Sequence, residues 1–316
     1  MEKQFSKSGL AAVVATTVLL GACGGGGGGG SSDSGGGDSS SQLQLDPDGY
    51  GKRQAQIRTQ TDYEAAAQAY EDTGKIDQLV SEVESTLGVA GTLSVGDPVV
   101  REAATESCEN EGGTVDVTTS DSSTRVVFDN CELSTTSIPN LLLDGSYSQD
   151  VSGNDTDQTI VIQYSIRGEN LDTGGPVSIQ GQETARMVQT GSDAGSLTVA
   201  TDRLEYLLED DYVALEDTRI AVSVDGDSFV MEMAATLVSS AIDGYLTVST
   251  PVAVAGNINT TCPAEGAVRL EADGSVEVRF GLSTGTGDAV LVTLNDSDSQ
   301  GFDTCDAGSV WVPENG

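Results

Sequence analysis

The chain is 316 residues long, with 50 acidic against 14 basic side chains, no histidine and a formal net charge of −36 at pH 7. A surface this acidic repels nucleic acid and anionic lipid headgroups, so neither DNA nor RNA is expected as a partner. With no histidine there is no Ser-His-Asp triad, and any general acid or base must be a carboxylate, Tyr or Lys. Dense carboxylates suit three roles: cation binding, life in a saline medium that screens them, or solubility through like-charge repulsion.

In chain order, Lys3 and Lys7 precede an apolar stretch from Leu10 to Leu20. That stretch is too short to cross a bilayer and reads as a secretory signal. It ends in Leu20-Gly21-Ala22-Cys23, and seven glycines, Gly24 to Gly30, follow. A Leu three residues before a cysteine, with small residues between, resembles the lipobox of bacterial lipoproteins. The resemblance implies cleavage before Cys23, a diacylglycerol on its sulfur and a fatty acyl group such as palmitate on its new amine. Membrane lipid is then a partner through that anchor, since several chains on one residue hold where a single chain does not. In that class an Asp directly after the cysteine often retains the protein in the inner membrane. Here the position is Gly24, which implies the outer membrane, in either its periplasmic or its surface-facing leaflet. Residues 1–22 are thus read as signal peptide and 23–42 as lipidated cysteine and tether. The Gly, Ser and Asp of Gly24 to Ser41 cannot bury apolar area and should reach roughly 20–25 Å as a flexible coil.

Residues 43–107 carry two predicted helices. Thr61 with Glu64 has capping-box spacing ahead of Tyr63, Ala65 to Ala67, Ala69 and Tyr70, and Gly74 should stop that helix. Ile76, Leu79, Val80, Val83 and Leu87 recur at helical spacing up to a stop at Gly88, as expected of a face packed on the rest of the domain.

Residues 108–316 read as an antiparallel β domain. From residue 113 the period changes to two: Ile160, Ile162, Tyr164 and Ile166 alternate with Thr159, Val161, Gln163 and Ser165. The pattern recurs in Val177/Ile179, Leu197/Val199, Ile220/Val222/Val224, Phe229/Met231/Met233 and Leu246/Val248. Gly191-Ser192-Asp193, Asp225-Gly226-Asp227 and Asp273-Gly274 supply turns between about a dozen strands. No helix-length segments intervene, so the connections should be meanders and not βαβ crossovers. The expected fold is mainly β: a large twisted antiparallel sheet, either a sandwich or a partly closed barrel, with two short N-terminal helices against it. The four cysteines after Cys23 allow three connectivities, and the local one, Cys108–Cys131 with Cys262–Cys305, brackets strand-turn-strand units. The surroundings of Cys108 and Cys262 echo each other, as two related disulfide-closed modules flanking a central sheet would.

Signals for chemistry are sparse. Gly281-Leu282-Ser283-Thr284-Gly285 matches the G-x-S-x-G elbow, but a strand follows it where a helix is required, and it reads as a hairpin loop. Asn295 to Gly301 places oxygen donors at alternate positions, yet Ala307 stands where an EF-hand has its bidentate Glu. Asp296 with Asp298 and Asp225 with Asp227 remain calcium candidates, as do Asn154, Asp155 and Asp157. No other cofactor is indicated. The expected function is that of a lipid-anchored, non-enzymatic envelope protein that binds or holds another macromolecule. Two alternatives stand beside it. One is a carrier for lipid or apolar ligand with a cavity lined by Met187, Met231, Met233 and Phe229; the other is a carboxylate hydrolase or calcium-dependent glycan binder.

Overall fold

The computed structural model describes residues 47–74, 78–79, 82–83, 105–110, 112–120, 122–260 and 262–305. The signal peptide, Cys23 and the tether lie outside them, as does most of the second predicted helix, of which residues 78–79 and 82–83 are helical. The N-terminal part comprises a single turn α1 (Pro47–Tyr50), a short strand β1 (Gln56–Ile57) and a helix α2 (Gln60–Asp72). Strands β2 (Thr105–Ser107), β3 (Thr114–Thr119), β4 (Ser123–Leu133), β5 (Leu141–Asn154) and β6 (Asp157–Asn170) follow. Then come β7 (Gly175–Gln189), β8 (Ala194–Leu208), β9 (Asp211–Asp225), β10 (Ser228–Ser239) and β11 (Gly244–Asn257). The last are β12 (Glu265–Gly281), β13 (Val290–Leu294) and β14 (Asp298–Phe302).

The helix α2 starts earlier than its sequence signal suggested. Asp62 N–H donates to Thr59 Oγ1 at 3.3 Å, while Asp62 Oδ2 accepts the amides of Thr59 and Arg58, each at 2.9 Å. The reciprocal box is therefore Thr59 with Asp62, and not Thr61 with Glu64, because the same three-residue spacing recurs two positions upstream.

Strands β2 to β14 lie side by side in sequence order, so the sheet is a pure antiparallel meander. From β5 to β11 the long strands are joined by turns of two to four residues, which is what antiparallel hairpin connections require. Among the described residues β2 and β14 end the path, and the sheet closes neither into a barrel nor into a sandwich of two separate sheets. The turn between β9 and β10 shows the local cause: Asp225 pairs with Ser228 across Gly226 and Asp227, and Gly226 takes φ 61°. A two-residue hairpin needs that left-handed backbone, which glycine adopts without steric cost.

One strand departs from the meander. Residues 265–271 of β12 pair with β11, whereas Val276 to Phe280 pair with β13, and between them β12 leaves its first neighbour. The notch so formed is filled by the N-terminal segment. Tyr245 N–H donates to Arg53 O and Ala55 N–H to Tyr245 O, both at 2.8 Å, and Asp273 N–H donates to Ala55 O at 2.9 Å. Gln56 and Ile57 then lie parallel to Asp273 and Gly274. The boundary read between residues 107 and 108 is thus not a break in the sheet: the segment before it contributes β1 and β2.

Two apolar clusters hold the sheet. The first gathers Val222, Met231, Met233, Leu237, Leu246 and Val248 with Val276, Val278, Phe280, Val290 and Val292, under Ile57, Tyr63, Ala66 and Ala69. Alanines at i+3 and i+6 from Tyr63 let α2 approach the strands closely. The second gathers Val115, Val126, Phe128, Leu141, Leu143, Ile166, Ile179 and Tyr206 under Leu79 and Val83. The clearest alternation in the sequence runs from Ile160 to Ile166, yet only Ile166 is fully buried; Ile160, Ile162 and Tyr164 are half-buried. Strands β6 to β8 are 14 to 15 residues long and extend past both clusters, so period two marks the strand but not how far it is covered.

Both disulfides join the cysteines expected from local pairing, with Cα separations of 5.2 Å for Cys108–Cys131 and 5.3 Å for Cys262–Cys305. They flank the sheet, one closing β3 onto β4 and the other β12 through β14, so the two modules enclose different numbers of strands. Loops of 23 and 43 residues restrict the unfolded chain by roughly 3.5–4 kcal/mol each in the entropy model.

Ile57 is completely buried. Ile57→Ala should destabilise the domain by about 2–5 kcal/mol, read from the urea midpoint at constant slope.

Candidate functional site

The notch borders an open cleft of about 620 Å³, lined by Arg53, Gln56, Asp62, Ala65, Ile242 and Asp243 among others. Its charged groups are engaged. Arg53 Nη2 lies 2.5 Å from Asp243 Oδ1, and its guanidinium stands 5.5 Å over the Tyr50 ring. Asp62 is held below the usual carboxylate range by the amides of Arg58 and Thr59. Arg58 in turn pairs with Asp273. The cleft presents hydrogen-bonding groups to solvent and holds no carboxylate set apart as a proton donor. Residues 190 positions apart, such as Arg53 and Asp243, carry no shared sequence signal, so pattern reading missed this place.

A second constellation lies on the opposite face of β9 from the first core. Val213 points into that core, while Tyr212 and Ala214 pack with Val238, Tyr50, Leu207 and Tyr245. Tyr50 stacks on Tyr212 with ring centroids 6.1 Å apart. Tyr212 Oη donates to Glu205 Oε2 at 3.1 Å and accepts from Arg203 Nη2 at 3.0 Å, and Arg203 Nη1 meets Glu216 at 2.9 Å. Burial, with Glu205 beside it, pushes the Tyr212 hydroxyl up to about 12. A hydroxyl so hard to ionise is a fixed link between two strands and not a base at neutral pH.

The calcium candidates fall apart into pairs on different hairpins. Asp296 Oδ1 and Oδ2 accept from Arg269 Nη1 and Nη2 at 2.9 and 3.3 Å, which holds Asp296 below its ordinary value. Arg269 also reaches Glu277, which pairs with Arg279. Asp298 opens β14 opposite Leu294. Asp225 and Asp227 flank Gly226 on the turn of β9 and β10, and Asp157 is gripped by Arg186 Nε and Nη2 at 3.0 and 2.7 Å. Asn154 Oδ1 accepts the amides of Thr156 and Asp157 at 2.9 and 3.1 Å, closing its own turn. Among the described residues no three Asp, Glu, Cys or His side chains converge as a metal site. Calcium takes six to eight oxygens, so these pairs would leave most of its shell to water.

The G-x-S-x-G stretch forms a 3₁₀ turn, Leu282–Thr284, between β12 and β13. Ser283 Oγ accepts the amide of Gly266 at 3.0 Å and so ties the loop to the start of β12. Met231 and Met233 are buried in the first core with Phe229 against it, and Met187 on β7 shares their face of the sheet, in one cross-strand row with Leu197, Val222 and Met231. The described residues do enclose an apolar void of about 10 Å³ beneath Leu79 and Val83, room for one water at most and too apolar to hold it. Comparison with family models, with curated proteins and with solved structures finds no match.

Two measurements follow from this electrostatic picture. Crowded carboxylates should make the melting temperature rise with sodium chloride, as the Debye length falls from about 30 Å at 0.01 M to 10 Å at 0.1 M. Millimolar calcium at matched ionic strength should add nothing further, because among the described residues no three acidic side chains converge and Asp296 is already paired with Arg269. Above pH 10, where tyrosine in the unfolded chain ionises, folded Tyr212 stays protonated toward about 12. Stability must fall across that interval, since the unfolded state alone loses the proton. Tyr212→Phe should flatten the fall in melts taken from pH 9 to 12.

Proposed function

We propose that the chain is an exported, lipid-anchored bacterial envelope protein whose sheet serves as a non-enzymatic binding or structural domain. The observation that carries this reading is the pair of disulfides closed by the four cysteines beyond Cys23. Structural disulfides persist in oxidising compartments, and they agree with a signal that ends in Leu20-Gly21-Ala22-Cys23. Gly24 after the cysteine supports the outer membrane. A partner there would be a protein or a neutral or cationic surface, since a charge of −36 opposes anionic ones.

One observation favours the carrier reading as an alternative. Ile160, Ala185, Val199 and Ile220 form a row across β6 to β9 on one face, and all four are half-buried. An acyl chain could lie along such a row. Mass spectrometry of the protein purified natively from membranes separates the two: co-purified lipid favours the carrier, a stoichiometric protein the binding domain.

The anchor is tested separately. Cys23→Ser should leave the protein unacylated and in the soluble fraction after cell lysis; undiminished sedimentation with membranes would remove the basis of the reading.

A further inference from the structure

Among the described residues five large apolar side chains are strongly exposed: Leu171, Val230, Val252, Ile258 and Leu282. Leu171 stands alone, at the turn from β6 into β7. The other four gather at one corner of the sheet, each a short step from Ala255 on β11. Val230 pairs with Ala255 across the strands, and Val252 and Ile258 lie three residues to either side of it along the chain. Ala255 O accepts Ala264 N–H at 2.8 Å, and Ala264 O accepts Leu282 N–H at 2.9 Å. Two such backbone steps place Leu282 roughly 10 Å from Ala255.

Leu282 is 82% exposed and the other three between 39% and 47%. Single exposed side chains of this kind need no explanation, whereas four together form a patch. Phe229 and Met231, the neighbours of Val230 on β10, belong to the first core, so Val230 faces away from it. The corner is also held in shape. The Cys262–Cys305 bridge pins the loop that leads into Ala264, Ile258 N–H donates to Asp227 O at 2.9 Å, and Ser283 Oγ, next to Leu282, accepts Gly266 N–H at 3.0 Å. An apolar patch on a fixed backbone loses little entropy when a partner covers it.

The charges around the patch are of one sign. Asp225 and Asp227 are exposed at the turn of β9 and β10, Glu232 is exposed two residues along β10 from Val230, and Glu265 is exposed opposite Ala255. No lysine or arginine occurs from residue 220 to 268 or from 280 to 316. Arg219 lies opposite Ala234, further along β10, and Arg269 and Arg279 are occupied by Asp296 and Glu277. Such a rim repels an anionic bilayer, and it equally repels a second copy that carries the same rim.

We propose that this corner is a docking surface for a protein whose contact has an apolar centre ringed by lysine and arginine. The proposal rests on the reading of the sheet as a binding domain and names the face that it uses. Leu282 and Val230 enter the partner's apolar centre, while Asp227, Glu232 and Glu265 meet its bases.

The test uses the full-length chain carrying Cys23→Ser, so that no anchor binds lipid. It is titrated in about 0.15 M salt with a labelled synthetic helix that has leucine along one face and lysine along the other, and binding is read by fluorescence anisotropy. Adding Val230→Ser and Leu282→Ser should weaken binding about tenfold or more, because both apolar contacts are lost. Glu232→Lys with Glu265→Lys should weaken it as well, and tests the rim with the apolar side chains intact. Leu171→Ser should change nothing. All five side chains are exposed, so melting temperatures should stay close to that of the parent chain. Equal binding by the parent and by the Val230→Ser/Leu282→Ser chain overturns the proposal, since general attraction to an acidic protein would give that result. Phosphatidylcholine vesicles, or a second copy of the chain, bound by the parent and lost in the same variant overturn it by putting another occupant on the patch. A protein that co-purifies from membranes equally with the natively anchored chain and with its Val230→Ser/Leu282→Ser form leaves the binding-domain reading standing and overturns this corner as the face it uses.

Discussion

The carbonyl of Ile57 sits where a side chain on residue 274 would begin, and much of the first core depends on that substitution of backbone for Cβ. Because Gly274 leaves the space, β12 can part from β11 and turn toward β13 without exposing its amides; Asp273 N–H finds Ala55 O in place of a sheet neighbour. A buried amide without a partner costs about 1–3 kcal/mol, so a bend at this point requires something to fill it. The N-terminal segment does so, and Ile57 then leads α2 onto the strands that the bend brings together. Helix, notch and C-terminal strands are one cooperative arrangement although Arg58 and its partner Asp273 lie 215 positions apart in the chain.

An open sheet has two unpaired edges, which invite pairing with other chains. Among the described residues the path ends in short strands, three residues in β2 and five in β14, and each end module is closed by a disulfide. The long strands stand in the middle, with both neighbours present. High net charge adds a further barrier to edge-to-edge association, because two copies of the same face repel.

Charge is spread over the domain, but the few bases are concentrated where geometry needs them. Arg53 and Arg58 secure the N-terminal segment, Arg203 ties β8 to β9, and Arg269 and Arg279 gather acids around Glu277, itself largely buried. Arg269 to Asp296 is a two-point contact that joins β12 to the turn ahead of β14. Exposed pairs like these contribute little individually, and their value here is as relief from repulsion among carboxylates. Among the described residues, buried Gln149 Oε1 and Thr218 Oγ1 meet no hydrogen-bond partner.

Local patterns in the sequence determined the strands, the meander, the helix after residue 59 and the two disulfides. Each of these rests on neighbours in the chain: period two for a strand, glycine at positive φ for a turn, and short loop length for a cysteine pair. The lipobox resemblance at Cys23 is likewise a local pattern. Only tertiary structure decided which apolar residues are covered, as Ile160 and Ile166 show, for the same alternation ends half-buried at one and fully buried at the other. It also decided that Asp296 would face Arg269, and that Arg53 would meet Asp243 beside a cleft. Residues far apart in the chain were brought together there by the bend in β12 and the N-terminal segment that fills it. That bend requires close approach between two backbones, and a lone Asp-Gly in the sequence reads as an ordinary turn until its partner strand is in place.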